Sequence, residues 1–107
     1  MRDFIHIVDL ARGHLAALNA LRARAGVLTA NLGTGRGYSV LEMVAAFSAA
    51  SGKTVPYRIV NRRPGDIAQC YADPAFAREA LGWQAQLGID AMCADTWRWQ
   101  RWALENL

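Results

Sequence analysis

The chain has 107 residues, 53% hydrophobic and 20% charged, with 12 Lys and Arg against 9 Asp and Glu for a net charge of +3. That balance excludes a disordered polymer, and the length predicts one domain, residues 1–107, able to bury roughly two-thirds of its unfolded surface. No apolar run approaches the ~20 residues of a membrane span, so no membrane partner is expected.

Met1 to His6 has no signal-peptide character, and two cysteines, Cys70 and Cys93, make no disulfide framework. A cytoplasmic protein is expected. Lys53 is the only lysine, and the arginines are scattered rather than gathered in a stripe. Nucleic acid is therefore not the expected partner. A site for one small polyanion needs only two or three arginines.

In chain order, Arg2 to Val8 alternates and is branched or aromatic at several positions, which predicts a short strand. Asp9 is placed to cap a following helix, with Leu10, His14, Leu18 and Leu21 on one face. Gly13 in that helix predicts a close packing contact, because glycine costs about 1 kcal/mol in a helix interior. His14 reads as a packing residue. His6 has no second histidine or carboxylate at metal-ligand spacing, so no metal is assigned.

Gly26 is expected to end the helix, and Val27 to Leu32 to form a second strand. The loop Gly33-Thr34-Gly35-Arg36-Gly37 then opens a helix. It is not a dinucleotide fingerprint, since Tyr38 stands where the third glycine of G-x-G-x-x-G is needed. Ser39 and Glu42 form a capping box, and Gly52 is a C-cap. Thr54 to Val60 reads as a third strand, with Pro56 favouring an edge. Asp73-Pro74 starts a short helix that Gly82 ends. A last helix is expected over roughly Ile89 to Leu104. Trp97, Trp99 and Trp102 cannot share one of its faces, so at least one packs elsewhere or lies exposed. The expected fold is α/β, a small mixed sheet of short strands packed by about four helices.

The segment Asn61-Arg62-Arg63-Pro64-Gly65-Asp66 concentrates the chemistry. Pro64 presets its own φ and biases Arg63 towards extended backbone, while Gly65 opens angles closed to other residues. Guanidinium grips phosphate in two places at once, and a nearby carboxylate accepts hydrogen bonds from sugar hydroxyls. The loop suits a molecule carrying both groups. A solvated turn with a local Arg–Asp pair is the alternative at this point.

Arg2-Asp3-Phe4-Ile5-His6-Ile7-Val8-Asp9-Leu10-Ala11 with Gly13-His14, then Asn31-Leu32-Gly33-Thr34-Gly35 and Ser39-Val40, then Arg62-Arg63-Pro64-Gly65-Asp66, Tyr71-Ala72-Asp73, Leu81-Gly82-Trp83 and Asp95-Thr96-Trp97 occur in family order. In this the chain resembles the carboxy-terminal, substrate-binding part of UDP-glucose 4-epimerase, in the extended short-chain dehydrogenase/reductase family. The resemblance covers essentially the whole chain.

The resemblance implies that Arg2 and Arg63 grip the diphosphate of a UDP-sugar and that Asp66 bonds the uridine ribose hydroxyls. Phe4 stands where the family has a tyrosine near the phosphates, and Val40 matches a residue lying against the nucleotide. Cys70 matches a hexosyl-pocket position where a bulky tyrosine disfavours N-acetyl sugars. Its small side chain implies room for UDP-N-acetylglucosamine beside UDP-glucose and UDP-galactose. The residues alone also allow Cys70 to be a small buried hydrophobe.

Family members carry an amino-terminal domain for NAD and a Tyr-x-x-x-Lys pair. Tyr38, Tyr57 and Tyr71 are followed four positions on by Glu42, Asn61 and Ala75, so no tyrosine has the lysine that lowers its pKa for proton transfer. No catalytic residue and no cofactor site is expected within these residues. The expectation is a substrate-binding piece of an epimerase that binds UDP-sugar weakly alone. The alternative is a stand-alone module that self-associates or meets a separate NAD-binding chain.

Overall fold

A computed structural model describes residues 1–107 as four helices: α1 (Ile7–Ala23), α2 (Val40–Ser51), α3 (Ala75–Leu81) and α4 (Ile89–Asn106). The helix count meets expectation and the sheet does not. Backbone pairing outside the helices is confined to two isolated bridges on Arg2, antiparallel to Tyr38 and parallel to Cys70. The stretches 27–32 and 54–60 run without regular pairing. Val27 is 92% exposed and Ile59 87%, so their branched side chains have no neighbour to pack on. Strand propensity expresses itself only where a partner strand and a buried face exist.

The first segment is the second correction. Ile7 and Val8, expected to end a strand, begin α1 instead, because the His6 side chain accepts a hydrogen bond from the Val8 amide and caps the helix. Asp9 is therefore not the cap. It is fully buried in the first turn, where its Oδ2 accepts from the amides of Gln86 at 2.9 Å and Leu87 at 2.8 Å. Its own carbonyl takes the Trp83 indole N–H at 3.0 Å. The helix ends at Arg24, before Gly26. Gly13 does make the close contact expected: a Cβ there would lie 2.9 Å from Leu32 Cδ1 and 3.2 Å from Trp83 Cε2.

Both ends of α2 and the end of α3 follow the sequence, whereas α3 begins one residue later than expected, with Pro74 rather than Asp73 at its N-cap. Ser39 and Glu42 cap each other reciprocally at 3.1 and 2.7 Å, and these bonds hold the Glu42 carboxyl below its ordinary pKa. Gly52 and Gly82 close their helices in the left-handed conformation. Asp73 accepts from the Ala75 amide at 3.0 Å at the start of α3.

Packing divides the molecule in two. α2 lies on α4, and α1 on α3; no other helix pair meets. In the first unit Phe47 meets Trp97 edge-on at 6.3 Å, Lys53 sits over the same indole, and Cys93 touches Met43. Burial, followed by the nearby Asp90 charge, pushes the Cys93 thiol up, keeping it protonated. In the second unit Trp83 is the buried anchor. Trp99 and Trp102 are exposed.

The expected two-thirds burial is not reached. The radius of gyration is 16.9 Å, against about 13 Å for a compact chain of this length. The accessible surface is 8047 Å², where a compact monomer of this mass exposes on the order of 5,900 Å². Leu15, Leu18 and Leu21 leave the apolar face of α1 open. No helix is long and apolar enough to cross a membrane.

Candidate functional site

Arg2 is the point where the site-bearing segments meet. Its amide donates to the Tyr38 carbonyl at 2.9 Å, and its carbonyl accepts from the Tyr38 amide at 2.8 Å. On the other side the Asp3 amide donates to Cys70 O at 3.2 Å, and the Cys70 amide to Met1 O at 3.0 Å. The guanidinium Nη1 reaches the Ile67 carbonyl at 3.1 Å and Met1 O at 2.8 Å. Arg2 thus lies over the strip that leaves the arginine loop. Cys70 is exposed and unpaired, which corrects its reading as a buried hydrophobe.

The loop itself is a tight turn. Asp66 N–H donates to Arg63 O at 3.2 Å, and Gly65 has φ 84°. That is the left-handed position a proline–glycine turn needs at its third residue. Across it Arg63 Nε meets Asp66 Oδ2 at 3.2 Å, with the arginine side chain 85% exposed and the aspartate 35%. The local Arg–Asp pair is therefore present, but such an exposed pair contributes about 1 kcal/mol at most. The Arg63 Nη groups make no hydrogen bond, and Arg62 makes none with its side chain. Both remain available to an anion.

Val40 is the exposed first residue of α2, two positions beyond the Tyr38 that pairs with Arg2. Phe4 faces elsewhere, into a groove of about 640 Å³ shared with Ile5, Met43, Phe47, Met92 and Trp99. The structure thus gathers Arg2, Cys70 and the start of α2 at one junction. Arg63 and Asp66 join it through the 66–70 strip, and Phe4 lies against α2 and α4.

Three functional-looking groups had no signal in the sequence. Asp3 collects the Thr34 hydroxyl at 2.6 Å and the amides of Thr34, Gly35 and Ala72 at 3.0 to 3.2 Å. Burial works to raise its pKa, but the Thr34 hydroxyl and those amides outweigh it, and the carboxyl is held below its ordinary value. His6, buried, places Nε2 2.9 Å from Asp95 Oδ2 at the polar end of the groove, while its Nδ1 accepts from Val8. That assigns the ring proton to Nε2. Asp95 also pairs with Arg98. The third is Asp9, already described. Their partners lie 31 to 89 residues away in sequence, beyond any local pattern.

The glycine turn does not fit a dinucleotide. Its Thr34 and Gly35 amides, the donors a pyrophosphate would use, are directed at Asp3. A Cβ on Gly33 would lie 2.7 Å from Asp3 Oδ2 and 2.5 Å from the Ala72 Cβ, so that glycine serves the internal contact.

No family model matches the chain. It is 60% identical over 101 residues to the UDP-glucose 4-epimerase of Mus musculus, covering 94% of this chain and 29% of that protein. The UDP-glucose 4-epimerase of Stenotrophomonas maltophila, solved with bound NAD and formylated UDP-arabinopyranose, superposes with a TM-score of 0.93 at 48% identity, over 98% of this chain and 31% of that one. The Bifidobacterium longum UDP-glucose 4-epimerase, in complex with NAD+ and UDP, gives 0.89 at 50% identity, over 98% and 31%. The chain spans under a third of the length of the relatives it matches. In sequence and in fold, it matches the carboxy-terminal portion of the UDP-glucose 4-epimerases, which are extended short-chain dehydrogenase/reductases.

Proposed function

We propose that residues 1–107 are the substrate-binding unit of an NAD-dependent UDP-hexose 4-epimerase of galactose metabolism, acting in the cytoplasm. The observation that carries this reading is the junction on Arg2, which brings the Cys70 strip and the start of α2 to the outlet of the Arg63–Asp66 turn. In this reading Arg2 and Arg63 hold the diphosphate from two sides, because two fixed guanidinium groups match its spread charge. Asp66 gives up its weak pair with Arg63 and accepts the ribose hydroxyls. Val40 lies against the nucleotide and Cys70 faces the hexose, while Phe4, turned into the groove beside α2 and α4, has no direct contact with the ligand.

NAD supplies the redox chemistry of such an enzyme, and these residues do not build its site. Their part is to bind and orient. Without the remaining surface of the pocket, affinity for UDP is weak. Titration of the 107-residue chain with UDP, against uridine as the phosphate-free control, tests this. UDP is expected to perturb Arg2, Arg63 and Asp66 in the millimolar range, with Arg63→Ala abolishing most of the response and Arg62→Ala little of it. Equal losses, or tight binding, would sink the assignment.

The exposed Cys70 supports room for N-acetyl sugars. In a chimera supplied with a relative's dinucleotide domain, Cys70→Tyr is expected to lower turnover of UDP-N-acetylglucosamine relative to UDP-glucose. An unchanged ratio removes that role.

A second reading draws on the open apolar face of α1 and the excess surface. In it the unit works by self-association or by meeting a separate NAD-binding chain. Light scattering distinguishes the two: a monomer at micromolar concentration excludes stable self-association.

A further inference from the structure

We propose that Asp3 is the positioning residue of this site, the internal anion that holds its three separate segments in one arrangement; the inference rests on the UDP-sugar reading above. Each segment reaches the junction with only isolated backbone bridges, on Arg2 alone, and one bridge does not make a rigid ladder. The carboxylate supplies the missing constraint. Oδ1 takes the Thr34 hydroxyl and amide, and Oδ2 takes the amides of Gly35 and Ala72. The amino-terminal segment is thereby tied to the turn that leads into Val40 and to the strip that carries Cys70. Gly33 packs closely against both the carboxylate and Ala72, where a Cβ would lie 2.7 Å from Oδ2 and 2.5 Å from the Ala72 Cβ.

The position also poses an electrostatic puzzle that positioning answers. Asp3 is the immediate neighbour of an arginine assigned to a diphosphate, and a free carboxylate there would repel the ligand. Charge-assisted bonds from four donors spread that charge into the backbone. The two roles predict opposite signs. If Asp3 were only a neighbouring charge, removing it would tighten UDP binding. As a positioning residue, its removal weakens it.

The test is Asp3→Asn in the 107-residue chain, followed by amide NMR without ligand and by UDP and uridine titrations. The amides of Thr34, Gly35 and Ala72 are expected to shift and lose exchange protection while those of α2 and α4 hold. UDP affinity is expected to fall roughly tenfold, with uridine affinity changed less. Thr34→Val, which removes one donor and keeps the backbone, gives the same pattern with a smaller loss and serves if Asp3→Asn does not fold. Unchanged protection at the three amides, or UDP affinity equal or higher in the variants, overturns the role of Asp3 and leaves the UDP-sugar reading standing. A flat UDP titration of the unaltered chain overturns that reading itself, and Asp3's part in it.

Discussion

Two arginines stand beside aspartates in the candidate site, and they are held in opposite ways. Arg63 and Asp66 are three residues apart, joined by a turn that Pro64 and Gly65 dictate, and they pair with each other on the surface. Arg2 and Asp3 are adjacent and do not pair. Arg2 reaches Ile67, and Asp3 reaches Thr34, Gly35 and Ala72. The first pair is cheap to open, as a ligand-binding group should be. The second is a fixed frame, because the amides of Thr34, Gly35 and Ala72 would lose their acceptor if the carboxylate moved.

The largest effect is expected at the frame. Gly33→Ala would push a methyl group to 2.7 Å from Asp3 Oδ2 and 2.5 Å from the Ala72 Cβ. We expect a loss of about 1–3 kcal/mol of stability, read from chemical denaturation. A change within error would show that the junction yields and that the contrast between frame and clamp is false.

The next effect is in pH. Because the folded-state pKa of Asp3 lies below the ordinary 3.8, its contribution is fully present above that value and is lost as pH falls through the lower folded value. Asp3→Asn should therefore flatten the acid limb of the stability profile below pH 3.8 and be costly at neutral pH. Parallel acid limbs for the two proteins would assign that limb to other groups.

The smallest effect is expected at the clamp. The Arg63→Ala chain that loses UDP binding should unfold within about 1 kcal/mol of the unaltered protein, since an exposed pair contributes no more than that. A larger loss would make Arg63 a structural residue and remove the distinction from Arg2.

Where helix ends were legible, their determinants are local. Ser39 and Glu42, or Gly52 and Ser48, lie within one turn of each other, so the residues alone specify the bonds. The Pro64–Gly65 turn was legible for the same reason. Strands were not. Val27 to Leu32 and Thr54 to Val60 have the right composition, but a strand requires a neighbour supplied from elsewhere, and here only Arg2 finds two. His6 shows the same limit in a single side chain. Its ring caps α1 two residues away and meets Asp95 89 residues away, and only the first distance is visible in a sequence.

By itself, then, the sequence determined the four helices with the caps at Ser39, Gly52 and Gly82, the turn that presents Arg63 to solvent, and the order of motifs that reveals the relatives. Tertiary structure alone decided that Arg2 is the junction, that the glycine turn's amides serve Asp3, that Asp9 anchors the segment after α3, and that the face of α1 stays open. The physical reason is range. Caps and turns close within four residues at little entropic cost, whereas the frame joins groups 31 to 69 residues apart, whose meeting depends on how the whole chain packs.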